Sequence, residues 1–336
     1  MHLLLNYLLA VLALGLLIAL HELGHLLAAR MLGIRVARYS VGFGPTVFEF
    51  KRGETTYALA ALPLGGFTRV VGMDPSDPEA NHPDSYASRP VWQRLWVVVA
   101  GPLMNELLAV LLVYGVAVAG MPDTSSTTLG RVEPQSVAEQ AGLKVGDRIV
   151  SVDGETLERF SDLVLAIHAH ADETIRIAIE RAGQPLELTA KLANPPLLGV
   201  APSMRRFGPL AAIPAAVTWT IRTTIETVGG LVTAVLNPSM LQGPLATVQI
   251  TAHEAERGIQ SLVFTLALIS LGLAVFNALP LPALDGGRAI FLAYEGITRR
   301  KVSPRFEGIV HGVGLLLLLG AILAMSVFEI RGLARH

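Results

Sequence analysis

The sequence predicts an α-helical polytopic membrane protein of about four transmembrane helices, with a re-entrant β-hairpin element and an inserted α+β domain. Three observations carry this. The 336 residues are 52% hydrophobic and only 16% charged, with a mean hydropathy of +0.53, too apolar for a water-soluble chain of that length. Apolar runs long enough to cross a hydrocarbon core of about 30 Å recur along it. Between two of them lies a stretch whose charge and turn signals are those of a soluble domain.

The first apolar run extends from Leu3 to Leu32, with polar or charged residues clustered at His21, Glu22, His25 and Arg30. It has no Lys or Arg near its start and no small-residue cleavage site, so it is expected to be a retained span rather than a secretory signal. Trp96–Met121, Ile259–Leu281 and Gly308–Phe328 are the other expected spans. Four segments follow: 1–122 with the first two spans and a β-loop, 123–193 as the inserted domain, 194–258 as amphipathic interfacial helices, and 259–336 with the last two spans. The interfacial reading rests on Pro209, Pro214, Arg222, Glu226 and several Thr among apolar residues.

Positive charge sets the expected orientation. Arg30, Arg35, Arg38, Lys51, Arg52, Arg89 and Arg94 sit between the first two spans, and Arg299, Arg300, Lys301 and Arg305 between the last two. Both connections are therefore expected on the cytoplasmic side, with the insertion on the outer face. A net charge of −1 and the lack of any Lys/Arg-rich run argue against nucleic acid as a partner. With no cysteine, disulfides and thiolate chemistry are excluded, and any metal must use His, Asp or Glu.

Within the first connection, Val47–Phe50 and Thr56–Leu59 flank a turn at 51–55 and read as a β-hairpin, followed by Leu62-Pro63-Leu64-Gly65-Gly66-Phe67. Non-helical backbone at membrane depth survives only where protein or a wet cavity covers its polar groups, so this element is expected to be re-entrant beside a cavity. In the insertion, Leu129–Val132 and Asp147–Val152 read as strands, and Ser136–Ala141 as a short helix stopped by Gly142. Ser161–His170 reads as a helix capped by Ser161. Thr174–Glu180 and Pro185–Lys191 alternate as paired strands, with turns at Asp153-Gly154 and Ala182-Gly183.

The chemistry sits in His21-Glu22-Leu23-Gly24-His25. On a helix the two histidines lie one turn apart on one face and can converge on a metal ion, with the glutamate beside them as general base for an activated water. Ionisable groups inside an apolar span cost about 2.5–3.5 kcal/mol each for the charged types, which weighs against an idle polar patch. Zinc in a catalytic site takes three protein ligands and keeps one open position. A third candidate is Asp285, in Asn277-Ala278-Leu279-Pro280-Leu281-Pro282-Ala283-Leu284-Asp285-Gly286-Gly287. Taken alone, Asp285-Gly286-Gly287 is equally the turn that ends the third span. His253-Glu254 starts a similar motif, but Arg257 stands where the second histidine would be, and helix surface is the simpler reading. His168 and His170 read as solvated or packing residues, and His311 as a packing residue in the last span.

The two motifs together resemble the site-2 protease family of intramembrane zinc metalloproteases, and within it the RseP group, regulators of sigma-E protease. The resemblance continues through Gly42-Phe43-Gly44-Pro45, Leu62–Phe67, Gly101-Pro102-Leu103-Met104-Asn105 and Gln242-Gly243-Pro244, covering nearly the whole chain in order. It implies Zn2+ as cofactor, held by His21, His25 and Asp285, with Glu22 as catalytic base. It also implies that Asn277, Pro280, Gly65, Gly66 and Phe67 hold the substrate, and that Asn105 braces the catalytic helices. On residues alone, Asn277 could equally satisfy backbone freed by Pro280, and Asn105 could be a plain interhelical hydrogen bond. Arg288 departs from the His that many relatives carry after the Gly pair.

The insertion resembles a PDZ domain through Leu129-Gly130-Arg131-Val132, Ala141-Gly142-Leu143, Gly146-Asp147-Arg148-Ile149 and Val152-Asp153-Gly154. This implies a groove near Leu129, Gly130, Arg131, Val132 and the 161–170 helix that binds a peptide C-terminus by strand addition, or a filter that excludes bulky outer domains. Better-known members of the RseP group carry two such domains; about 65 residues here are PDZ-like, so one is expected. The implied activity is cleavage of single-span membrane proteins, such as anti-sigma factors or remnant signal peptides, in a bacterial inner membrane, with water reaching the site from the cytoplasmic side. The rival reading is a non-catalytic scaffold that recruits partners through the PDZ domain, against which Glu22 argues, since a structural metal site needs no base. A transporter would need a polar through-path that the spans lack.

Overall fold

A computed structural model describes residues 2–74, 77–236 and 243–333. In chain order it comprises α1 (His2–Met31), β1 (Val36–Arg52), β2 (Thr55–Val70), α2 (Val91–Ala119), β3 (Met121–Pro122), β4 (Leu129–Val132) and α3 (Val137–Gln140). There follow β5 (Arg148–Val152), β6 (Glu155–Thr156), α4 (Phe160–His168), β7 (Thr174–Arg181), β8 (Gln184–Lys191), β9 (Val200–Pro202) and β10 (Met204–Arg205). The chain ends in α5 (Pro209–Leu236), α6 (Pro244–Arg257), α7 (Ile259–Ala278), α8 (Asp285–Thr298) and α9 (Pro304–Leu333). Two compact units result, one of Met1–Tyr114 with Pro214–His336, the other Gly115–Ile213.

In the first unit, four helices among the described residues are long and apolar enough to cross a bilayer: Leu4–Met31, Val91–Ala119, Ile259–Ala278 and Pro304–Arg331. They are the four expected spans. Leu316, Leu317 and Leu323 on α9 are 71%, 70% and 67% exposed, a surface suited to lipid. Where spans approach each other, small residues make room. A Cβ on Gly24 of α1 would come within 2.3 Å of the Ala100 carbonyl oxygen of α2, so the helices cross in near backbone contact.

The predicted hairpin forms, with Phe48 opposite Leu59 and Phe50 opposite Tyr57, but its strands run for 17 and 16 residues, well beyond the expected Val47–Phe50 and Thr56–Leu59. β1 bends where Gly42 and Gly44 take φ of +87°, which puts Val41 opposite both Leu59 and Gly66. The resulting sheet leans on α1. The Tyr39 hydroxyl donates to the Ala19 carbonyl (2.8 Å) and the Thr68 hydroxyl to the Glu22 carbonyl (2.8 Å). A Cβ on Gly15 would fall 2.0 Å from the Pro63 carbonyl oxygen, so β2 reaches about 24 Å along α1 from Met31 at 1.5 Å per residue. That is the expected re-entrant lie.

The expected interfacial placement of 194–258 needs correction for part of α5. Ala216 and Trp219 share buried clusters with Ala109 and Val113 of α2 and Ala267 and Leu271 of α7, and the Thr224 hydroxyl donates to Glu106 of α2 at 3.1 Å. Eight residues on α5 match seven on α2, so the helices run side by side for about 11–12 Å. The amphipathic texture has a local cause: Arg222 and Glu226 pair one turn apart at 2.7 Å on the exposed face. Of the Gln242-Gly243-Pro244 motif, Gln242 lies outside the described residues.

The second unit is an α+β fold with a sheet in the order β6-β5-β7-β8 and a separate β4-β9 pair. Alternation along β7 buries Ile175, Ile177 and Ile179 together with Leu163 and Ile167 of α4. Positive φ at Asp153 and Gly154, and at Ala182 and Gly183, makes the two expected hairpin turns. Three expectations change. α4 starts at Phe160, so Ser161 lies inside it, and the capping carboxylate is Asp162, which accepts from the backbone N–H of Arg159 at 2.9 Å. The unit runs past 193, because Val200–Pro202 supplies β9. The strand expected to offer the groove, Leu129, Gly130, Arg131 and Val132, is also paired rather than open. β9 covers that strand, pairing Leu129 with Pro202 and Val132 with Val200, and Leu129 is a core residue at 1% exposure. The cavity of about 120 Å³ beside α4 is lined instead by Pro196, Leu197, Leu198, Gly199 and Val200.

Candidate metal centre

α1 presents His21 and His25 from one face, as their spacing requires. The His21 and His25 Nε2 atoms are 3.2 Å apart. Asp285, the first residue of α8, places Oδ2 3.1 Å from His21 Nε2 and 3.3 Å from His25 Nε2. Its carboxylate sits where the helix dipole favours negative charge. Burial works against that charge, but the two imidazoles outweigh it and hold the carboxyl well below its ordinary range, in the ionised state that binds metal. Among the described residues this is the one group of three such donors converging on a point.

The donor set fits zinc. With bonds of about 2.0–2.1 Å, the edge of a tetrahedron around Zn2+ is about 3.3 Å, and the three donor separations match it. The far side of each ring is also held. His25 Nδ1 lies 2.8 Å from the Val97 carbonyl, which keeps a proton on Nδ1 and turns the Nε2 lone pair inward. His21 Nδ1 lies 3.3 Å from the amide of the fully buried Asn105. Ligation through Nε2 leaves the proton on Nδ1, and a half-turn of the amide, which keeps its shape, offers it an oxygen. The Asn105 backbone carbonyl accepts in turn from the Ser270 hydroxyl of α7 at 2.8 Å. Gly101 closes the wall: a Cβ there would lie 2.3 Å from His25 Nε2 and 2.7 Å from His21 Nε2.

A family model described as Peptidase family M50 matches residues 9–321. The chain belongs to peptidase family M50. This M50 peptidase is 30% identical to the zinc metalloprotease RasP of Geobacillus kaustophilus over 96% of both chains. It is 28% identical to the regulator of sigma-W protease RasP of Bacillus subtilis, over 96% of this chain and 97% of that one. A solved PDZ domain of an SdrC-like protein from Listeria monocytogenes aligns with 23% of the M50 peptidase and 85% of its own chain, at 20% identity and a TM-score of 0.21. The M50 peptidase is thus a zinc metalloprotease of the site-2 protease family and a bacterial membrane protein.

The remaining expected site residues of this M50 peptidase divide. Asn105 joins the donor cluster through His21. Gly65, Gly66 and Phe67 lie on β2 beside α1, between the approach of Pro63 and Gly65 to Gly15 and Thr68, whose hydroxyl donates to the Glu22 carbonyl. Gly65 has φ +117°, and a Cβ on Gly66 would meet the Ser40 carbonyl oxygen at 2.5 Å, so the strand closes tightly there. Phe67 is 39% exposed and stacks on Phe43 with centroids 6.3 Å apart. Asn277 ends α7, its amide donating to the Leu273 carbonyl of its own helix at 3.0 Å, and Pro280 is exposed in the following turn. Arg288 donates to the Met73 carbonyl at 2.9 Å, tying α8 to the segment after β2. His253 is exposed beside Glu256, His168 bonds the Val164 carbonyl of its own helix, and His170, just past the end of α4, bonds the Ala166 carbonyl.

Sequence reasoning gave no role to Gly101, Val97 or Ser270. Only Gly101 carried a usable signal, a glycine before proline inside a span, where helix formers are otherwise favoured.

Proposed function

We propose that this M50 peptidase cleaves transmembrane segments of single-span membrane proteins inside the bilayer. His21, His25 and Asp285 hold the zinc, and Glu22 is the general base. The observation that carries the reading is the burial of three matched donor atoms between helices whose outer faces suit lipid. Zinc, when bound, supplies a Lewis acid that polarises the scissile carbonyl and activates water. Glu22, one residue after a ligand on the same helix, takes a proton from the attacking water and passes it to the departing amine. The Val97 carbonyl and the Asn105 amide keep both imidazoles aimed while this happens.

A substrate carbonyl inside a helix is shielded by its own hydrogen bond, so the substrate must unwind locally before attack. Gly65, Gly66 and Phe67 on the re-entrant sheet, with Asn277 near the end of α7 and Pro280 in the turn after it, hold the unwound strand in this reading. Anti-sigma factors and remnant signal peptides are the substrate classes proposed; the regulator of sigma-W protease among the relatives supports the first. The positive loops 30–94 and 299–305 support an inner-membrane orientation with those loops in the cytoplasm, water entering from that side, and the insertion outside. The insertion acts as a PDZ domain whose groove, between α4 and β9, takes an extended peptide C-terminus along the β9 edge.

The test is Glu22→Gln in the full chain. Zinc content should stay at the wild-type level while cleavage of a reporter span disappears. Undiminished cleavage by the variant would sink the mechanism, and a scaffold function predicts no cleavage by either form.

A further inference from the structure

We propose that His311 is a positioning residue for the zinc site, acting through the turn that delivers Asp285; the inference rests on the reading of Asp285 as the third ligand. The turn Leu279–Leu284 links α7 to α8. Pro280 and Pro282 have no N–H to donate, and the Leu281 and Leu284 N–H groups bond within the turn, to Leu279 at 2.7 Å and Leu281 at 3.3 Å. The Ala283 N–H leaves the turn altogether: it donates to His311 Nδ1 on α9, 28 residues later, at 2.9 Å.

Ala283 has φ +71°, a left-handed conformation that an L residue keeps only where its surroundings hold it. The holding surface is α9. One face of that helix offers the His311 acceptor and, three residues on, Gly314, where a Cβ would come within 2.2 Å of Pro282 Cβ. Nothing larger than glycine lets the turn seat there. The turn is equally tight against α8, since a Cβ on Gly286 would lie 2.1 Å from the Leu279 carbonyl oxygen and one on Gly287 2.2 Å from that of Leu281. Any displacement of Ala283 therefore moves the first turn of α8, and Asp285 is two residues away.

Accepting at Nδ1 puts the imidazole proton on Nε2, which is buried with no hydrogen-bond partner among the described residues; the nearest carboxylate, Glu307, is 4.0 Å away. Among the described residues, the one hydrogen bond of the ring is thus the one it accepts from the Asp285 turn. A side chain present only for packing would need no such acceptor, and leucine would serve.

The experiment measures zinc affinity by chelator competition on the full chain in detergent micelles for H311N, H311Q, H311L and D285A. Asparagine can place its oxygen where Nδ1 lies, glutamine reaches instead toward Nε2, and leucine keeps bulk without polarity. H311L and H311Q should bind zinc about 10–100-fold more weakly, and H311N within about threefold of wild type, the range seen when groups supporting a ligand are removed or kept. Wild-type affinity in H311L overturns the proposal. So does H311N as weak as H311L, or H311Q as the variant that retains affinity. D285A separates the two claims: D285A at wild-type affinity refutes the third-ligand reading and this inference with it, while weak D285A beside wild-type H311L refutes the positioning role alone.

Discussion

Substituting Gly101 with alanine probes the wall behind the proposed zinc ligands. The added Cβ would stand 2.3 Å from His25 Nε2, 2.6 Å from His25 Cε1 and 2.7 Å from His21 Nε2. Carbon and nitrogen in ordinary contact keep about 3.4 Å or more, so the rings must retreat by roughly 0.7–1.1 Å. Zinc ligand distances tolerate about 0.2 Å. Without metal the imidazoles can swing aside, but ligated they cannot, so the overpacking cost of about 1–3 kcal/mol falls on the zinc-bound form. At about 1.4 kcal/mol per tenfold, the zinc Kd should rise about 5- to 150-fold. The assay is chelator competition on the full chain in micelles, with Gly115→Ala as control, because nothing lies within 4 Å of a Cβ at that position of the same helix. A G101A protein that binds zinc as tightly as wild type would refute the claim that α2 forms this wall.

Two further outcomes concern stability. Asp147 is 1% exposed, pairs with Arg181 through two contacts of 2.7 Å and accepts the Lys144 N–H at 2.8 Å, so D147N should destabilise the second unit by on the order of 2–3 kcal/mol, read by limited proteolysis of the full chain. The Arg181 hydrogen bond holds the Asp147 carboxyl below its ordinary 3.8, so its contribution is complete above that pH, declines as pH falls from there toward the folded-state value, and is absent from D147N throughout. On α9, Glu329 accepts the backbone N–H groups of Gly243 (2.8 Å), Ala246 (3.3 Å) and Leu245 (3.3 Å) at the start of α6. E329A should cost that helix end about 1–2 kcal/mol, seen as about 5- to 30-fold faster amide exchange at 243–246.

The spans and the His21/His25 pair were legible because both are local: a run of apolar residues and a fixed offset of four on a helix. The hairpin turns were legible for the same reason. The extent of the β element was not, since Val36–Val41 finds its second partner at Gly66–Val70, and the bends at Gly42 and Gly44 break the two-residue period that marks a strand. That a neighbouring strand covers Leu129–Val132 was not legible, because β9 follows Pro195-Pro196 and reads as linker. α5 looked interfacial because Arg222, Glu226 and several Thr interrupt its apolar sequence, while the small Ala216 that packs against α2 and α7 carries no charge pattern at all. Asp285 alone read equally as turn or ligand, because the distance that distinguishes them spans 264 residues. His311 read as a packing residue for a similar reason: its partner is a backbone N–H, which leaves no trace in side-chain chemistry.

That separation between His21 and Asp285 bears on how the protein is made. Chains emerge from the ribosome at about 5–20 residues per second, so the first histidine exists for roughly 13–50 s before the aspartate is synthesised. Throughout that interval α1 and α2 can be inserted and the second unit can fold, but the nascent protein holds only two of the three proposed donors. Tight metal capture then belongs to the end of biogenesis, after α8 is in place, and a half-built protease has no competent centre with which to cut its neighbours at the translocon.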